Sequence, residues 1–169
     1  MRSLNLPDAE FRALAHRLGD FTADPSRPAT SDTPAHRRWW LTGPGGTVQA
    51  QILLNPERPP RVQSLAVAVP PARDSVLATV LEDLITWLNS GDTRWPGAIR
   101  VAPGTDEGLL RRRLLMAAAW AGECGTGAYR AGDGAAWVSV ELAGEYATVV
   151  LSLLVNPGTG EIRQADVAL

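Results

Sequence analysis

Two stretches near opposite ends of the chain carry the same apolar alternation, and each runs into the same Asn-Pro turn. Thr47-Val48-Gln49-Ala50-Gln51-Ile52-Leu53-Leu54-Asn55-Pro56 aligns with Thr148-Val149-Val150-Leu151-Ser152-Leu153-Leu154-Val155-Asn156-Pro157. Successive side chains of a strand point to opposite faces, so the shared phase is a strong constraint: Val48, Ala50, Ile52 and Leu54 occupy the face that Val149, Leu151, Leu153 and Val155 occupy. One deletion later, Leu65, Val67 and Val69 align with Ala165, Val167 and Leu169. Upstream, Thr33-Pro34-Ala35-His36-Arg37 resembles Thr126-Gly127-Ala128-Tyr129-Arg130, each following a helix that stops at a glycine, Gly19 or Gly122. The order of landmarks points to an internal repeat.

Between and before these strands the periodicity is helical. Pro7 suits a first helical turn, and Phe11, Leu14, Ala15 and Leu18 share one face before Gly19. Phe21 to Pro34 has no apolar period and reads as a loop. Asp74 to Asn89 is the clearest helix, with Asp74 as N-cap and Leu77, Val80, Leu81, Leu84, Ile85 and Leu88 in one stripe. A further helix opens at Thr105, has Asp106 and Glu107 in its first turn, and ends near Gly122. Strands follow over Ala136 to Leu142, Ala147 to Val155 and Glu161 to Val167, with the Gly43-Pro44-Gly45-Gly46 hairpin turn in the first half. The expected fold is α+β: one domain over 1–169, holding an internally duplicated helix-plus-three-antiparallel-strands unit. Pseudo-repeat 1 covers about 7–69, a central helix segment 73–105, and pseudo-repeat 2 about 106–169. The product is a sheet of six or seven antiparallel strands with helices on one face.

Composition limits the chemistry. At 169 residues and 45% hydrophobic content, one core is the default. The net charge of −2 comes from interspersed residues, so no basic footprint for nucleic acid exists. All 16 basic residues are Arg; the chain is lysine-free, which removes Schiff-base chemistry, the phosphate-loop lysine and the Ser-x-x-Lys dyad. Cys124 is the single cysteine, so no intramolecular disulfide forms. Neither a signal-peptide core nor a membrane-length apolar run is present, and a soluble, cytoplasmic chain is expected.

Few residues offer a site. With only His16, His36 and Cys124 as strong transition-metal ligands, no metal site and no cofactor are expected. His36 stands where the second repeat has Tyr129, so the two side chains can meet at a shared site or serve as packing residues. The acids show no spacing that forces a carboxylate pair; Glu141 and Asp166 are the two to watch, Asp166 on the strand face opposite Ala165 and Val167. Arg111-Arg112-Arg113 fans around a helix and forms no single anion-binding face. Adjacent Trp39 and Trp40 face opposite sides of a strand, which makes them the candidate binding residues.

Gly46 to Val69, with Leu53-Leu54-Asn55-Pro56-Glu57 leading into Pro59-Pro60-Arg61-Val62, resembles the paired long strands of ketosteroid isomerase-like (SnoaL-like) cone domains, including those attached to β-lactamase-related serine hydrolases. The resemblance implies an α+β cone whose pocket binds or isomerises small apolar molecules, as in polyketide cyclases of that fold. No motif position matches residue by residue, so it assigns no catalytic residue.

The residues favour a non-catalytic binding or assembly protein, acting through a sheet face or the Trp39/Trp40 edge on a protein partner or a second copy of itself. The alternative is a small cofactor-free cyclase, isomerase or carrier with an apolar pocket, using His36 or Tyr129 as acid or base beside Glu141 or Asp166. An immunity or inhibitor protein is also compatible. A closed apolar cavity favours the enzyme, and an exposed apolar patch the binder.

Overall fold

The computed structural model describes residues 19–168. The helix expected from Pro7 to Leu18, with His16, and the last strand position, Leu169, lie outside them. Among the described residues, nine strands stand against two helices, which overturns the α+β expectation built on a central helix: the fold is sheet-dominated. It divides into two compact units at Val69/Pro70.

The first unit holds β1 (Thr22–Ala23), β2 (Thr30–Thr33), β3 (His36–Gly43), β4 (Gly46–Leu54) and β5 (Val62–Val69). β3, β4 and β5 form an antiparallel meander, and both β1 and β2 pair with β3. Strands β1 and β2 replace part of the expected loop. Every residue of both is exposed, so neither strand needed the alternation that marks a half-buried one. The turn at Gly43–Gly46 is the expected hairpin, closed by the pairs Thr42↔Thr47 and Gly43↔Gly46. Val48 and Val69 are buried together, with Phe21, Leu41 and Val67 against them.

The second unit holds α1 (Val76–Ser90), α2 (Glu107–Ala121), β6 (Cys124–Asp133), β7 (Trp137–Gly144), β8 (Thr148–Val155) and β9 (Ile162–Ala168). Ser75, one residue past the expected Asp74, caps α1 by accepting from the Ala78 N–H at 3.1 Å, and Gly91 ends the helix at φ 70°. Asp106 rather than Thr105 caps α2, accepting from the Leu109 N–H at 2.9 Å; the Thr105 hydroxyl donates instead to the Arg163 carbonyl at 3.1 Å. β6 to β9 run as one antiparallel meander, and Val101 adds a parallel bridge to Ile162. Leu77, Leu84, Leu110 and Leu114 meet Val138, Val140, Leu151 and Leu153 in one fully buried core. Each such side chain contributes roughly 1.5–3 kcal/mol relative to exposure. The apolar stripe of α1 is therefore spent on its own unit's core. Among the described residues no helix is long and apolar enough to cross a membrane.

The helix-plus-three-strands unit is corrected as well, because β6 adds a fourth strand that apolar alternation did not announce. What recurs is a three-strand meander with one register. Gln49↔Ala68 and Leu53↔Ser64 precede a register shift to Leu54↔Val62; Val150↔Ala168 and Leu154↔Gln164 precede the same shift to Val155↔Ile162. Likewise His36↔Leu53 corresponds to Trp137↔Leu154. The place of His36 is thus taken by Trp137, while Tyr129 lies inside β6 opposite Val140. The upstream likeness around Thr33 and Thr126 matched small residues out of register.

Candidate functional site

In the first unit, β3 and β4 put their polar alternates on one face. The pairs Trp40↔Gln49 and Arg38↔Gln51 bring four such side chains together, with His36 next along β3. β2 contributes Asp32, whose carboxylate joins them: its Oδ2 lies 2.9 Å from His36 Nδ1 and also meets the Arg38 guanidinium. His36 Nε2 lies 3.3 Å from Gln51 Oε1. Burial pushes the Asp32 carboxyl up, but the hydrogen bond and charge of Arg38, then those of His36, outweigh it and hold the group below the usual carboxylate range. Both ring nitrogens of His36 are engaged, so the imidazole bridges β2 to β4 as a fixed polar strut. Beside it the Arg27 guanidinium stacks over the Trp40 ring at 4.6 Å and Arg27 Nε reaches Asp24 at 3.6 Å. Gln49 is 5% exposed, and its Oε1 has no hydrogen-bond partner among the described residues. Trp39 pairs with Ala50, which places it on the opposite face from Trp40, as expected of neighbours on a strand. Both indoles are half-buried.

The other expected site residues belong to the second unit, and they do not converge there. Tyr129 sits opposite Val140 and packs against the helix-covered core; burial, then the charge of Glu82, pushes its hydroxyl up. Glu141 alternates with Val140 and faces the other way. Its carboxylate meets Arg130 and accepts from the Ala128 N–H at 3.4 Å, where β6 departs from regular register. Asp166 pairs with Ser152 in register, accepts from Gln164, and meets Arg113 at 3.4 Å. Each carboxylate is thus held by its own strand neighbours or by an arginine. Among the described residues no group of three or more His, Cys, Asp or Glu side chains is placed to hold a metal ion.

A concavity of about 520 Å³ lies between the second half of α1 and the segment 91–99. Trp87 and Trp95 line it edge to face, their centroids 5.1 Å apart. Their indole N–H groups already donate to the carbonyls of Arg94 and Ile99, at 2.9 and 2.7 Å. The hollow is open to solvent rather than sealed, and its polar rim is tied by the Asp92–Arg94 pair.

Sequence reasoning missed the most exposed apolar surface. On α2, Leu110, Leu114, Ala117 and Ala121 are buried, while Met116 is 66% and Trp120 61% exposed, with Leu109 also exposed. Residues 109, 112, 113, 116 and 120 follow helical neighbour spacing and form one stripe on the outer side. The β7–β8 turn adds Tyr146, 73% exposed; its N–H donates to the Ala121 carbonyl at 2.9 Å, and its ring lies beside Gly122. The available signal was a helix with two apolar stripes, Leu110/Leu114/Ala117 and Leu109/Met116/Trp120, where one core needs only one. Compared with known proteins, the chain matches no family model, no curated protein and no solved structure.

Proposed function

We propose that the chain is a binding or assembly protein that acts through its surface. The observation that carries this reading is the outward stripe of α2 with Met116, Trp120 and the neighbouring Tyr146 left to solvent. Clustered exposed aromatics are costly to keep and are enriched where proteins meet. The enzyme alternative draws less support. His36 is engaged at both nitrogens, Tyr129 and Glu141 face opposite sides of their sheet, and the concavity beside Trp87 is open. Cys124 fits a binding role better than a nucleophilic one, because burial, then Glu123, pushes its thiol up. A single buried cysteine also suits a reducing compartment, which supports a cytoplasmic setting.

Native mass spectrometry and light scattering on protein purified from its own host test the reading. Self-association or a retained protein partner, lost on Trp120→Asp with Tyr146→Ser, is the expected result. A monomer that instead carries a small apolar molecule, unaffected by those substitutions, refutes it.

A further inference from the structure

The stripe on α2 has a charge order that selects its occupant. Its first half carries Leu109, Arg112 and Arg113, its centre Met116, and its second half Trp120, followed by Glu123; Glu145 and Tyr146 stand on the adjoining turn. Arg112, Arg113, Glu123 and Glu145 are all exposed. Past the N-cap Asp106 and the first-turn Glu107, basic residues thus lie in the first half, Arg113 paired with Asp166, and acidic and aromatic residues lie at the other end. Such a stripe is complementary to itself when turned end for end.

We infer that this face binds a second copy of the chain across a two-fold axis near Met116, with the two α2 helices antiparallel. The inference rests on the reading under Proposed function and adds the partner and the geometry. Residues 112 and 120 are each four positions from 116, roughly 6 Å along the axis in opposite directions. A two-fold axis there sets Arg112 of one copy over Trp120 of the other, with Glu123 of that copy just past the helix end. Arginine over an indole is an arrangement the chain already uses, at Arg27 and Trp40. A parallel pairing of the same helices sets Arg112 against Arg112 and Glu123 against Glu123, which like-charge repulsion disfavours. At the 150–250 Å² that one aromatic side chain can bury, Trp120, Tyr146, Met116 and Leu109 supply on the order of 400–500 Å² per copy. Over both copies that is about 800–1,000 Å², below the roughly 1,200 Å² at which stable interfaces begin, and it suits a weak dimer that dissociates on dilution in the micromolar range.

Sedimentation velocity from about 1 to about 200 µM tests it on the full chain. The wild type is expected to pass from monomer to dimer, Trp120→Asp to stay monomeric, and Arg112→Glu to weaken dimerisation roughly tenfold or more. Adding Glu123→Arg to Arg112→Glu puts opposite charges back across the axis and recovers part of the dimerisation, the stacking of Arg112 on Trp120 staying lost. These positions are solvent-exposed, and unchanged thermal melts confirm that the variants fold. A dimer that Trp120→Asp dissociates but that ignores both charge changes overturns the antiparallel geometry and leaves the surface reading standing. A wild type that stays monomeric throughout, yet retains a different protein through Trp120, overturns self-association alone. A monomer with a bound small molecule overturns both.

Discussion

Gly144 is a glycine because α2 ends against it. A Cβ at this position sits 2.3 Å from the Ala121 carbonyl oxygen and 2.7 Å from its carbon, and these are backbone atoms that cannot swing aside. Gly144→Ala is therefore expected to destabilise by about 1–3 kcal/mol or more, the range for overpacking a filled site. A Cβ at Gly125 meets nothing within 4 Å, and Gly125→Ala serves as the near-neutral control. Paired thermal melts of the two variants check this; equal melting temperatures refute the close-approach argument. The two buried protons make a second residue-scale prediction. Burial, then Glu123, raises the Cys124 thiol above its ordinary 9.0, and burial, then Glu82, raises the Tyr129 hydroxyl above 10.0. In the unfolded chain both groups lose their protons first. Stability is thus intact below the ordinary thiol value and falls as pH climbs through it toward the raised folded values. Urea unfolding between about pH 8 and about pH 10.5 reads this loss, and Cys124→Ala is expected to flatten its first part; a stability that holds level across that window contradicts it. At this scale the side-chain types were legible and their company was not. Asp32 and Asp133 each stand four residues ahead of the strand that follows, at His36 and Trp137. Yet Asp133 accepts three N–H groups of its own turn, while Asp32 reaches across to His36 and Arg38.

Strands whose residues alternate in the sequence were readable and the others were not. β4, β8 and β9 carry their period of two openly, and their register, including the shift beside each Asn-Pro turn, follows the aligned residues. β6 has no such period. Gly125, Gly127 and Gly132 interrupt it, and Gly127 has reason to be small, since a Cβ there lies 3.1 Å from that of Glu141. What fixes the start of β6 is a side chain from another element. Near the end of α1, Asn89 donates from Nδ2 to the Cys124 carbonyl at 2.7 Å and accepts the Cys124 N–H on Oδ1 at 2.9 Å. One amide thus does what a neighbouring strand's backbone does, a role that helical periodicity cannot announce. Asn89→Ala leaves two part-buried backbone groups unpaired and is expected to cost about 1–3 kcal/mol. It is also expected to speed reaction of the Cys124 thiol with a disulfide reagent, by raising the frequency of local opening. Unchanged stability together with unchanged thiol reactivity shows that Asn89 does not anchor β6. The α2 surface belongs to the same scale: an amphipathic helix is recognised by one stripe, and α2 has two, of which the core accounts for only Leu110, Leu114, Ala117 and Ala121.

Among the described residues burial is unequally shared, and this makes the two halves of the chain differ in what they can do alone. The large continuous core lies wholly between Leu77 and Ala165, where two capped helices cover a four-strand meander. Residues 70–169 therefore hold their own apolar core, their own helix caps and the Asn89 anchor. Up to Val69, the described residues offer the buried apolar side chains Val48, Ala50, Ala68 and Val69, with Phe21, Leu41 and Val67 around Val48 and Val69. A segment of that size buries the smallest fraction of its surface and is the one to fall short of the entropy cost of ordering. Expressed separately, 70–169 is expected to unfold in one cooperative thermal transition and to show dispersed amide resonances, and 1–69 to show neither. Because α2, Glu123 and Tyr146 all lie in the 70–169 piece, the same piece is expected to keep the concentration-dependent association of the full chain. A folded 70–169 that stays monomeric at every concentration where the intact chain dimerises places the contact before residue 70 and sinks the assignment to α2. A 70–169 piece with no cooperative transition shows instead that its core, though large, does not suffice without the rest of the chain.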